Sequence, residues 1–257
     1  MLAAVIWGLI QGLTEFLPVS STAHLVVIPE FLGELGVVVA PPSLAVSAVL
    51  HLGTLAAVLV FYRKDVASVL QFRTNPEGRK IALLVGVGTI PVLIGLPLAD
   101  EVERLQDSVV EVGWQLMATG LILYLGQLLA TGHRHLSDFK VVDAIVVGMA
   151  QALALIPGIS RSGVTIAVGN ARGFEPVEAA RFSFLLGIPA IAGAGLSQLF
   201  ALDDSGGFSP ELLVGIVVAG VSGYFAIAFL LRALARVGLL PFAIYCLVVG
   251  LAAVLVF

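Results

Sequence analysis

Long runs of hydrophobic residues, separated by short polar segments, extend along the whole chain. Six of these runs have the length of about 20 residues that an α-helix needs to cross a hydrocarbon core of about 30 Å. They predict transmembrane helices at 44–62, 81–98, 111–131, 182–200, 211–231 and 238–257. The pattern therefore indicates an all-α, polytopic integral membrane protein with six transmembrane helices.

Two further apolar runs, 1–33 and 143–169, are interrupted by polar motifs that contain Pro18 and Pro157. Each run predicts an apolar helix, a break near the proline and a shorter second helix. Non-helical backbone is tolerated at bilayer depth only where protein or water surrounds it. We therefore predict two re-entrant helix-loop-helix hairpins in addition to the six crossings.

Basic residues distinguish the two ends of the predicted helices. Arg and Lys are concentrated in 63–80 and 132–143, whereas 99–107 has one Arg among four acids and 201–210 has no basic residue. Because basic residues accumulate in cytoplasmic loops, the first two segments are predicted to be cytoplasmic and the other two external. If 143–169 crossed the membrane, the later loops would change sides, and the segment 201–210 without basic residues would be cytoplasmic while Arg232 and Arg236 would be external. This would break the charge rule, so 143–169 is predicted to enter and leave at the cytoplasmic face.

Three predicted crossings separate the hairpins, so the hairpins enter from opposite faces and their tips meet near the midplane. GLIQGLTEFLPVSS from Gly8 aligns with GMAQALALIPGISRS from Gly148 after one gap, which pairs Gln11 with Gln151. Inverted repeats of this kind form substrate sites between discontinuous helices. No Gly- or Ser-rich linker divides the chain, so residues 1–257 are predicted to form a single membrane domain.

The composition agrees with this interpretation and narrows the class of partners. With 59% hydrophobic residues, 12% charged residues and a mean hydropathy of +1.08, the chain is too apolar for a soluble domain, in which roughly a quarter of residues are charged. Membrane lipids are the expected surroundings, and the net charge of −4 argues against nucleic acid. The single cysteine, Cys246, forms no internal disulfide and is expected to be a packing residue.

Segment ends aside, Glu15 and Arg161 are the only charged residues within the eight apolar runs. A charge at bilayer depth costs at least about 2.5–3.5 kcal/mol, so such residues usually face a cavity, a ligand or each other. The simplest interpretation is a buried structural ion pair. It leaves the many hydroxyl groups around both residues unexplained.

Polar residues surround Glu15 in the first hairpin. Gln11 lies four residues earlier on the same helix face. Beyond Pro18, one serine is a natural N-cap for a second helix, but capping does not require the whole polar cluster. Taken alone, His24 fits an ordinary histidine at the membrane interface as well as it fits a site residue, and only its polar neighbours favour the site. The cluster consists of Gln11, Glu15, Ser20, Ser21, Thr22 and His24.

The second hairpin repeats this arrangement with the opposite charge. In IPGISRSGVT, Pro157 and Gly158 break the chain, and Ser160 can cap the next helix. A helix N-terminus beside a glycine turn binds anions, and an arginine fork suits phosphate. The candidate anion-binding residues are Ser160, Arg161, Ser162 and Thr165. Facing the cluster of the first hairpin, they indicate phosphate-ester or phosphate-anhydride chemistry.

Three other features are expected to lie outside the site. His51 is on a transmembrane helix without an acidic neighbour in the sequence. Glu178 and Arg181 are predicted to form a surface pair at a cytoplasmic helix end. Glycines and prolines within 86–97 and 187–195 are expected to permit close packing or a kink.

The motifs QGLTEFLPVSSTAH and PGISRSGVT resemble the signature segments of the undecaprenyl-pyrophosphate phosphatases of the bacitracin-resistance type. The likeness extends to GFEPVEAARFSFLLGIPAIAGA at 173–194 and to the order of the segments. It implies removal of the terminal phosphate from a C55 polyprenyl pyrophosphate at the outer face of the plasma membrane, which recycles the carrier lipid for cell-wall synthesis. It also implies dependence on a divalent cation and sensitivity to bacitracin, which sequesters the substrate.

The family's motif residues can be carried over to this chain position by position. They fall on Gln11, Glu15, Ser21, His24, Ser160, Arg161 and Thr165. Many relatives have glutamate where this chain has Gln11, which weakens any scheme that needs two carboxylates for a metal. The chain length of the lipid is implied only by the resemblance.

The sequence leads to a mechanistic hypothesis with open alternatives. The expected catalytic residues are Glu15, Ser21, His24 and Arg161; the expected substrate-binding residues are Gln11, Ser20, Thr22, Ser160, Ser162 and Thr165. Glu15 and Gln11 are the expected oxygen ligands of a Mg²⁺ or Ca²⁺ ion. The nucleophile is Ser21 or a water. His24 activates it or protonates the leaving oxygen, and Glu15 serves as the base if it holds no metal.

Two other functions compete with phosphatase activity. A transporter or lipid flippase would use the same inverted-repeat architecture. A non-catalytic scaffold would tolerate replacement of the polar residues in the hairpins. The sequence leaves open whether the chain forms a homo-oligomer, which metal it prefers, and whether it returns the lipid monophosphate across the membrane.

Overall fold

The computed structural model describes residues 1–37, 39, 42, 44–98, 108–203 and 210–257, and this part of the chain is helical without a β-strand. The helices are α1 (Leu2–Phe16), α2 (Ser21–Glu34), α3 (Leu44–Phe61), α4 (Arg63–Leu70), α5 (Pro76–Gly95), α6 (Val109–Leu128), α7 (Val141–Leu153), α8 (Arg161–Ala171), α9 (Pro176–Asp203), α10 (Pro210–Val237) and α11 (Leu240–Val256). Short 3₁₀ turns follow α5 at Leu96–Leu98 and precede α7 at Leu136–Asp138. The all-α prediction is confirmed.

Both predicted hairpins are present, and local chemistry explains where their helices stop. Helix α1 ends at Phe16 because Leu17 precedes a proline and is extended, with φ −63° and ψ 142°. In the second hairpin, Gly158 adopts a φ of +83°, which glycine accommodates without strain. Ser20 caps α2 by accepting a hydrogen bond from the Ala23 N–H at 3.3 Å. Ser160 caps α8 by accepting one from Gly163 at 3.1 Å.

All six predicted transmembrane segments are helical. Four helices in the described part are long and apolar enough to span a bilayer, namely α5, α6, α9 over Pro176–Leu196, and α10. Helices α3 and α11 contribute shorter apolar stretches, Val49–Phe61 and Leu240–Val256. The chain is therefore a polytopic membrane protein. Along α10, Val217, Val221, Phe225 and Phe229 form an exposed apolar stripe at four-residue spacing, as a lipid-facing surface requires.

The boundaries differ from the prediction at the ends that carry basic residues. Helix α5 begins at Pro76, before the predicted 81, because the Asn75 side chain accepts hydrogen bonds from the next N–H groups and proline suits the first helical position. Helix α4 was not predicted and lies within the basic segment 63–80. The predicted external segment 99–107 and residues 204–209 of the other external segment lie outside the described residues.

Packing between the two halves follows the predicted inverted repeat. The first helix of each hairpin packs against the second crossing of the other half, as α1 does on α10 and α7 does on α5. The first crossings, α3 and α9, pack together, and so do the third crossings, α6 and α11. Gly8 contacts the Gly215 backbone, and Gly148, its repeat mate, contacts that of Gly88. Small residues at matching positions thus allow close helix approach in both halves.

Ion pairs hold the helix ends at the face of the molecule that carries the basic segments. Arg181 pairs with Asp65 on α4 and, at 3.6 Å, with Glu178, which confirms the expected surface pair and adds a third member. Asp143 at the start of α7 is 1% exposed and receives Arg134 and Arg172, each at 2.7 Å. Asp143 therefore links α7 to the end of α8 and to the α6–α7 connection.

Replacing Asp143 with alanine should lower the free energy of unfolding. The change leaves Arg134 and Arg172 without their shared acceptor, and it removes the hydrogen bond from the Lys140 N–H. Because both guanidinium groups keep access to solvent, we expect a loss of about 2 kcal/mol, below the range for a fully buried pair. Thermal unfolding in detergent measures it. The control is Glu175→Gln, since this partly exposed acid lies 3.8 Å from His135 and should contribute less than about 0.5 kcal/mol. Equal losses in the two variants would contradict the assignment.

Candidate active site

A cavity of about 510 Å³ lies between the two hairpin tips, residues 17–20 and 154–160. The first hairpin contributes Glu15, Ser20, Ser21 and Thr22 to its lining, and the second contributes Gln151, Ser160 and Arg161. Residues of α3, α5 and α9, most of them apolar, complete the wall. A hollow of about 590 Å³ at the basic face is larger, but its buried acid Asp143 is already neutralised by two arginines. The cavity between the hairpins therefore holds the candidate chemistry.

The two charged residues at depth meet at the side of this cavity. The Arg161 guanidinium donates from Nη2 to Glu15 Oε1 at 2.7 Å. This contact joins the start of α8 to the end of α1, so the predicted convergence of the hairpins is confirmed. The pair also fits the structural ion-pair interpretation. However, both residues line a cavity rich in hydroxyl groups, and the Arg161 side chain is 15% exposed, so the pair is not sealed from a ligand.

The second oxygen of Glu15 accepts three further contacts. Gln11 Nε2 donates to Glu15 Oε2 at 3.0 Å, and Ser21 Oγ donates to the same oxygen at 2.8 Å. His51 Nε2 lies 3.3 Å away. With Arg161 on Oε1, the carboxylate accepts three hydrogen bonds, and His51 supplies a fourth only as an imidazolium, because its Nδ1 proton is used on the Ser47 carbonyl. Such a network stabilises the buried charge and fixes its orientation.

The expectation that His51 lies outside the site is wrong. His51 lines the cavity and contacts Glu15, while its Nδ1 donates to the Ser47 carbonyl at 2.8 Å. The acid that it contacts lies on α1, which packs against α3. Sequence proximity cannot reveal such a neighbour, because the contact depends on helix packing.

Ser20 has the one positive φ among non-glycine residues in the described part of the chain, with φ +68°. This conformation costs an L-residue of order 1 kcal/mol and is typical of functional sites. The strained turn places the Ser20 side chain as the cap of α2 and points Ser21 at Glu15. The Ser20 carbonyl in turn accepts a hydrogen bond from His24 Nδ1 at 2.7 Å. His24 therefore helps to hold the turn.

The structure does not bring His24 itself into the cavity. Its Nε2 lies 2.7 Å from the Tyr245 hydroxyl, and the two rings stack with centroids 5.6 Å apart. Both residues line a separate apolar groove between α2 and α11. Ser21 and Thr22 mark the cavity side of α2, and at 100° per residue His24 projects about 110° away from the middle of that side. The catalytic role of His24 stays a prediction.

Ser162 and Thr165 are also turned away from the cavity lining. Ser162 Oγ donates to the Leu17 carbonyl at 3.1 Å, which ties the two hairpin tips together. Thr165 Oγ1 donates to the Arg161 carbonyl and lies 2.6 Å from Ser183 Oγ. Both side chains are buried. Their predicted substrate contacts stay untested, and their observed contacts hold α8 in place.

Two residues that the sequence analysis did not single out shape the second hairpin tip. Thr119 on α6 accepts from the Ser160 N–H at 3.1 Å and donates to the Gly158 carbonyl at 3.3 Å. Gly187 on α9 faces the Arg161 guanidinium, and a methyl group there would overlap it. The close packing that was expected for glycines in 187–195 is thus, at Gly187, packing against the guanidinium of Arg161.

The chain's own residues do not fit a resident metal ion. Within the described residues, no group of three or more His, Cys, Asp or Glu side chains is placed to hold one. Both Glu15 oxygens accept hydrogen bonds, Oε1 from Arg161 and Oε2 from Gln11 and Ser21. Gln11 Oε1 has no hydrogen-bond partner in the described part, but Gln11 does not line the cavity. Glu15 and Gln11 therefore do not form a protein-only site for a hard cation.

Replacing Gly187 with alanine should displace the Arg161 guanidinium from Glu15. The buried carboxylate then loses its counter-charge, which should lower the free energy of unfolding by about 3 kcal/mol. Thermal unfolding in detergent measures the effect. Gly193→Ala is the matched control on the same helix, because its added methyl meets no atom within 4 Å. If both variants unfold alike, Gly187 does not make room for Arg161.

Comparison with known proteins gives a consistent result. The family model described as bacitracin resistance protein BacA matches residues 4–252. A protein of Halothermothrix orenii named undecaprenyl-diphosphatase is 41% identical over 248 residues, covering 95% of this chain and 93% of its own. Relatives of the same name from Myxococcus xanthus and Methanobrevibacter smithii are 42% and 39% identical, covering 97% and 98% of this chain and 86% and 95% of theirs. The chain belongs to the bacitracin resistance protein BacA family.

Proposed function

We propose that this protein is an undecaprenyl-diphosphatase, an integral membrane phosphatase that converts undecaprenyl pyrophosphate to the monophosphate and inorganic phosphate. Family membership and the names of the relatives support this activity. The observation that carries it is the Ser21 hydroxyl, which donates to Glu15 at 2.8 Å inside a cavity that also holds Arg161. A nucleophile hydrogen-bonded to a base and facing a cation is the arrangement that phosphoryl transfer requires.

Ser21 is the nucleophile in the proposed mechanism. Its proton passes from Oγ to Glu15 Oε2 as Oγ attacks the terminal phosphorus. The bond between that phosphorus and the bridging oxygen breaks, and the prenyl monophosphate leaves with the bridging oxygen. Glu15 passes this proton on to the departing bridging oxygen and is a base again. It then accepts a proton from the water that attacks the phosphoserine, and returns it to Ser21 Oγ as the P–Oγ bond breaks and inorganic phosphate leaves. Activation of water by Glu15 alone is the alternative, and trapping of the intermediate decides between them.

Arg161 and the start of α8 stabilise the charge that develops on the phosphoryl group. The guanidinium has five N–H donors and uses Nη2 for Glu15 and Nη1 for the Ser183 carbonyl at 3.4 Å, so further donors are available to phosphate oxygens. The N-terminus of α8 adds its partial positive charge. His24 acts through the Ser20 carbonyl as a positioning residue.

The location of the site supports release of phosphate at the external face of the plasma membrane. Helix α5 starts at the face that carries the basic segments, and the cavity extends to Leu96 at its other end. Basic segments mark the cytoplasmic side. Residues 1–257 act as one membrane domain, and the reaction recycles the carrier lipid for cell-wall synthesis and confers bacitracin resistance.

The transporter or flippase alternative has no support from the comparisons, since the relatives are named as phosphatases. A non-catalytic scaffold would give no reason for a strained Ser20 beside the Ser21–Glu15 hydrogen bond. One assay separates the phosphatase from the other two functions. Phosphate release from a prenyl pyrophosphate in detergent is expected only from a phosphatase.

The Ser21→Ala variant should lose phosphate release from a prenyl pyrophosphate by at least about a thousandfold, because it lacks the nucleophile. In single-turnover reactions of the unmodified protein, acid quenching should trap phosphoserine at position 21, detected by mass spectrometry. Ser222→Ala is the control, since this hydroxyl on α10 donates to the Val218 carbonyl away from the cavity. A fully active Ser21→Ala protein would refute the covalent route.

The divalent cation, we propose, is carried by the oxygens of the diphosphate and not by a resident protein site. Chelation should therefore stop turnover, and Mg²⁺ or Ca²⁺ should restore it. Equilibrium dialysis of the purified protein without substrate should detect no stoichiometric binding of either ion. Tight binding in the absence of diphosphate, lost in Glu15→Gln, would contradict this proposal.

A further inference from the structure

Gln151 is a buried polar residue of the cavity to which neither the resemblance nor the proposed mechanism assigns a role. It lies on α7, lines the cavity between the hairpins and is 2% exposed. Neither Nε2 nor Oε1 of its side chain has a hydrogen-bond partner in the described part of the chain. A buried amide without partners costs about 1–3 kcal/mol, so an unpaired amide at a cavity wall indicates a ligand contact.

The inverted repeat explains why this amide is unpaired. Gln11, the repeat mate, donates to Glu15 four residues later on the same helix. Four residues after Gln151 the chain has Leu155, which offers no acceptor. The same residue type therefore serves the carboxylate in the first hairpin and is left with free hydrogen-bonding groups in the second.

The position of Gln151 determines which part of the substrate it can reach. The terminal phosphorus must lie at Ser21 Oγ for the reaction, so the ester-linked phosphate and the prenyl chain extend from there along the cavity. The wall formed by α5, α7 and the turn after α7 is apolar at Val92, Leu93 and Leu155, which suits the prenyl chain. Thr89 on that wall already donates its hydroxyl to the Val85 carbonyl. Among the described residues of this wall, Gln151 is thus the one whose side-chain Nε2 can donate hydrogen bonds to a ligand.

We propose that Gln151 binds the ester-linked phosphate of the prenyl pyrophosphate, by donating from Nε2 to its oxygens. This rests on the proposed function and deepens it, because it assigns the two phosphates to different groups. Arg161 and the turn at Ser20 hold the phosphate that is released, and Gln151 holds the phosphate that stays on the lipid. Gln151 is therefore a residue that distinguishes a diphosphate ester from free phosphate.

The two products of the reaction separate these roles, since the prenyl monophosphate keeps the ester-linked phosphate and inorganic phosphate does not. In Gln151→Leu, we expect the KM for farnesyl diphosphate and the inhibition constant for farnesyl monophosphate each to rise about tenfold, the value of a lost hydrogen bond to a charged group. The inhibition constant for inorganic phosphate should stay within about twofold. Thermal stability without ligand should not fall, because leucine removes an unpaired buried amide.

Thr89→Val is the matched control on the same wall and should leave both inhibition constants within about twofold, since its hydroxyl is already engaged. Unchanged inhibition by farnesyl monophosphate in Gln151→Leu overturns the proposal, and so does equal weakening for both products. A lower melting temperature with normal ligand binding would show a purely structural role. If the unmodified protein binds farnesyl monophosphate but releases no phosphate, the proposed function fails, and direct binding of farnesyl monophosphate to Gln151→Leu still tests Gln151.

Discussion

The ion pair between Glu15 and Arg161 is the contact on which the arrangement of the hairpins depends. Each charge alone would be costly at bilayer depth, and each lies next to a helix break. At 2.7 Å they compensate each other, and hydrogen bonds from Gln11 and Ser21 stabilise the carboxylate further. A buried pair that also accepts hydrogen bonds can offset its desolvation, whereas an isolated charge cannot. The two hairpins are therefore held together by the same groups to which the proposed mechanism assigns the chemistry.

This double use has a consequence for the order of events. In the proposed mechanism, the Arg161 charge is paired with Glu15 before substrate arrives. A diphosphate that enters the cavity competes with Glu15 for the guanidinium, and Glu15 is then the carboxylate most able to accept a proton from its neighbour Ser21. Binding of the anion and activation of the nucleophile are thereby coupled through one arginine. Gly187 keeps this possible, because only a residue without a side chain leaves room for the guanidinium.

Hydrophobic periodicity and a few strong local signals predicted most of the fold. The apolar runs became helices, and the first helix of each hairpin ends before its proline, α1 at Phe16 and α7 at Leu153. The loop charges predicted that the hairpin tips converge, and this convergence brings together Glu15 and Arg161, which are 146 residues apart in the chain. The sequence did not predict the direction in which individual side chains point around a helix. His24 faces Tyr245, and His51 faces Glu15, because neighbours on α11 and α1 decide these contacts and no local pattern encodes them.

The inverted repeat supplies two similar hairpins, but phosphoryl transfer needs two different ones. In the proposed mechanism, one hairpin provides the base and nucleophile, and the other provides the positive charge that receives the phosphate. Glutamine at the equivalent positions Gln11 and Gln151 shows how the halves diverged. Beside an acid, the amide orients the carboxylate; without one, it is left to a ligand. The strain at Ser20 and the unpaired amide of Gln151 both reduce the stability of the free protein. Both lie at the cavity, where the free energy of substrate binding can offset this loss.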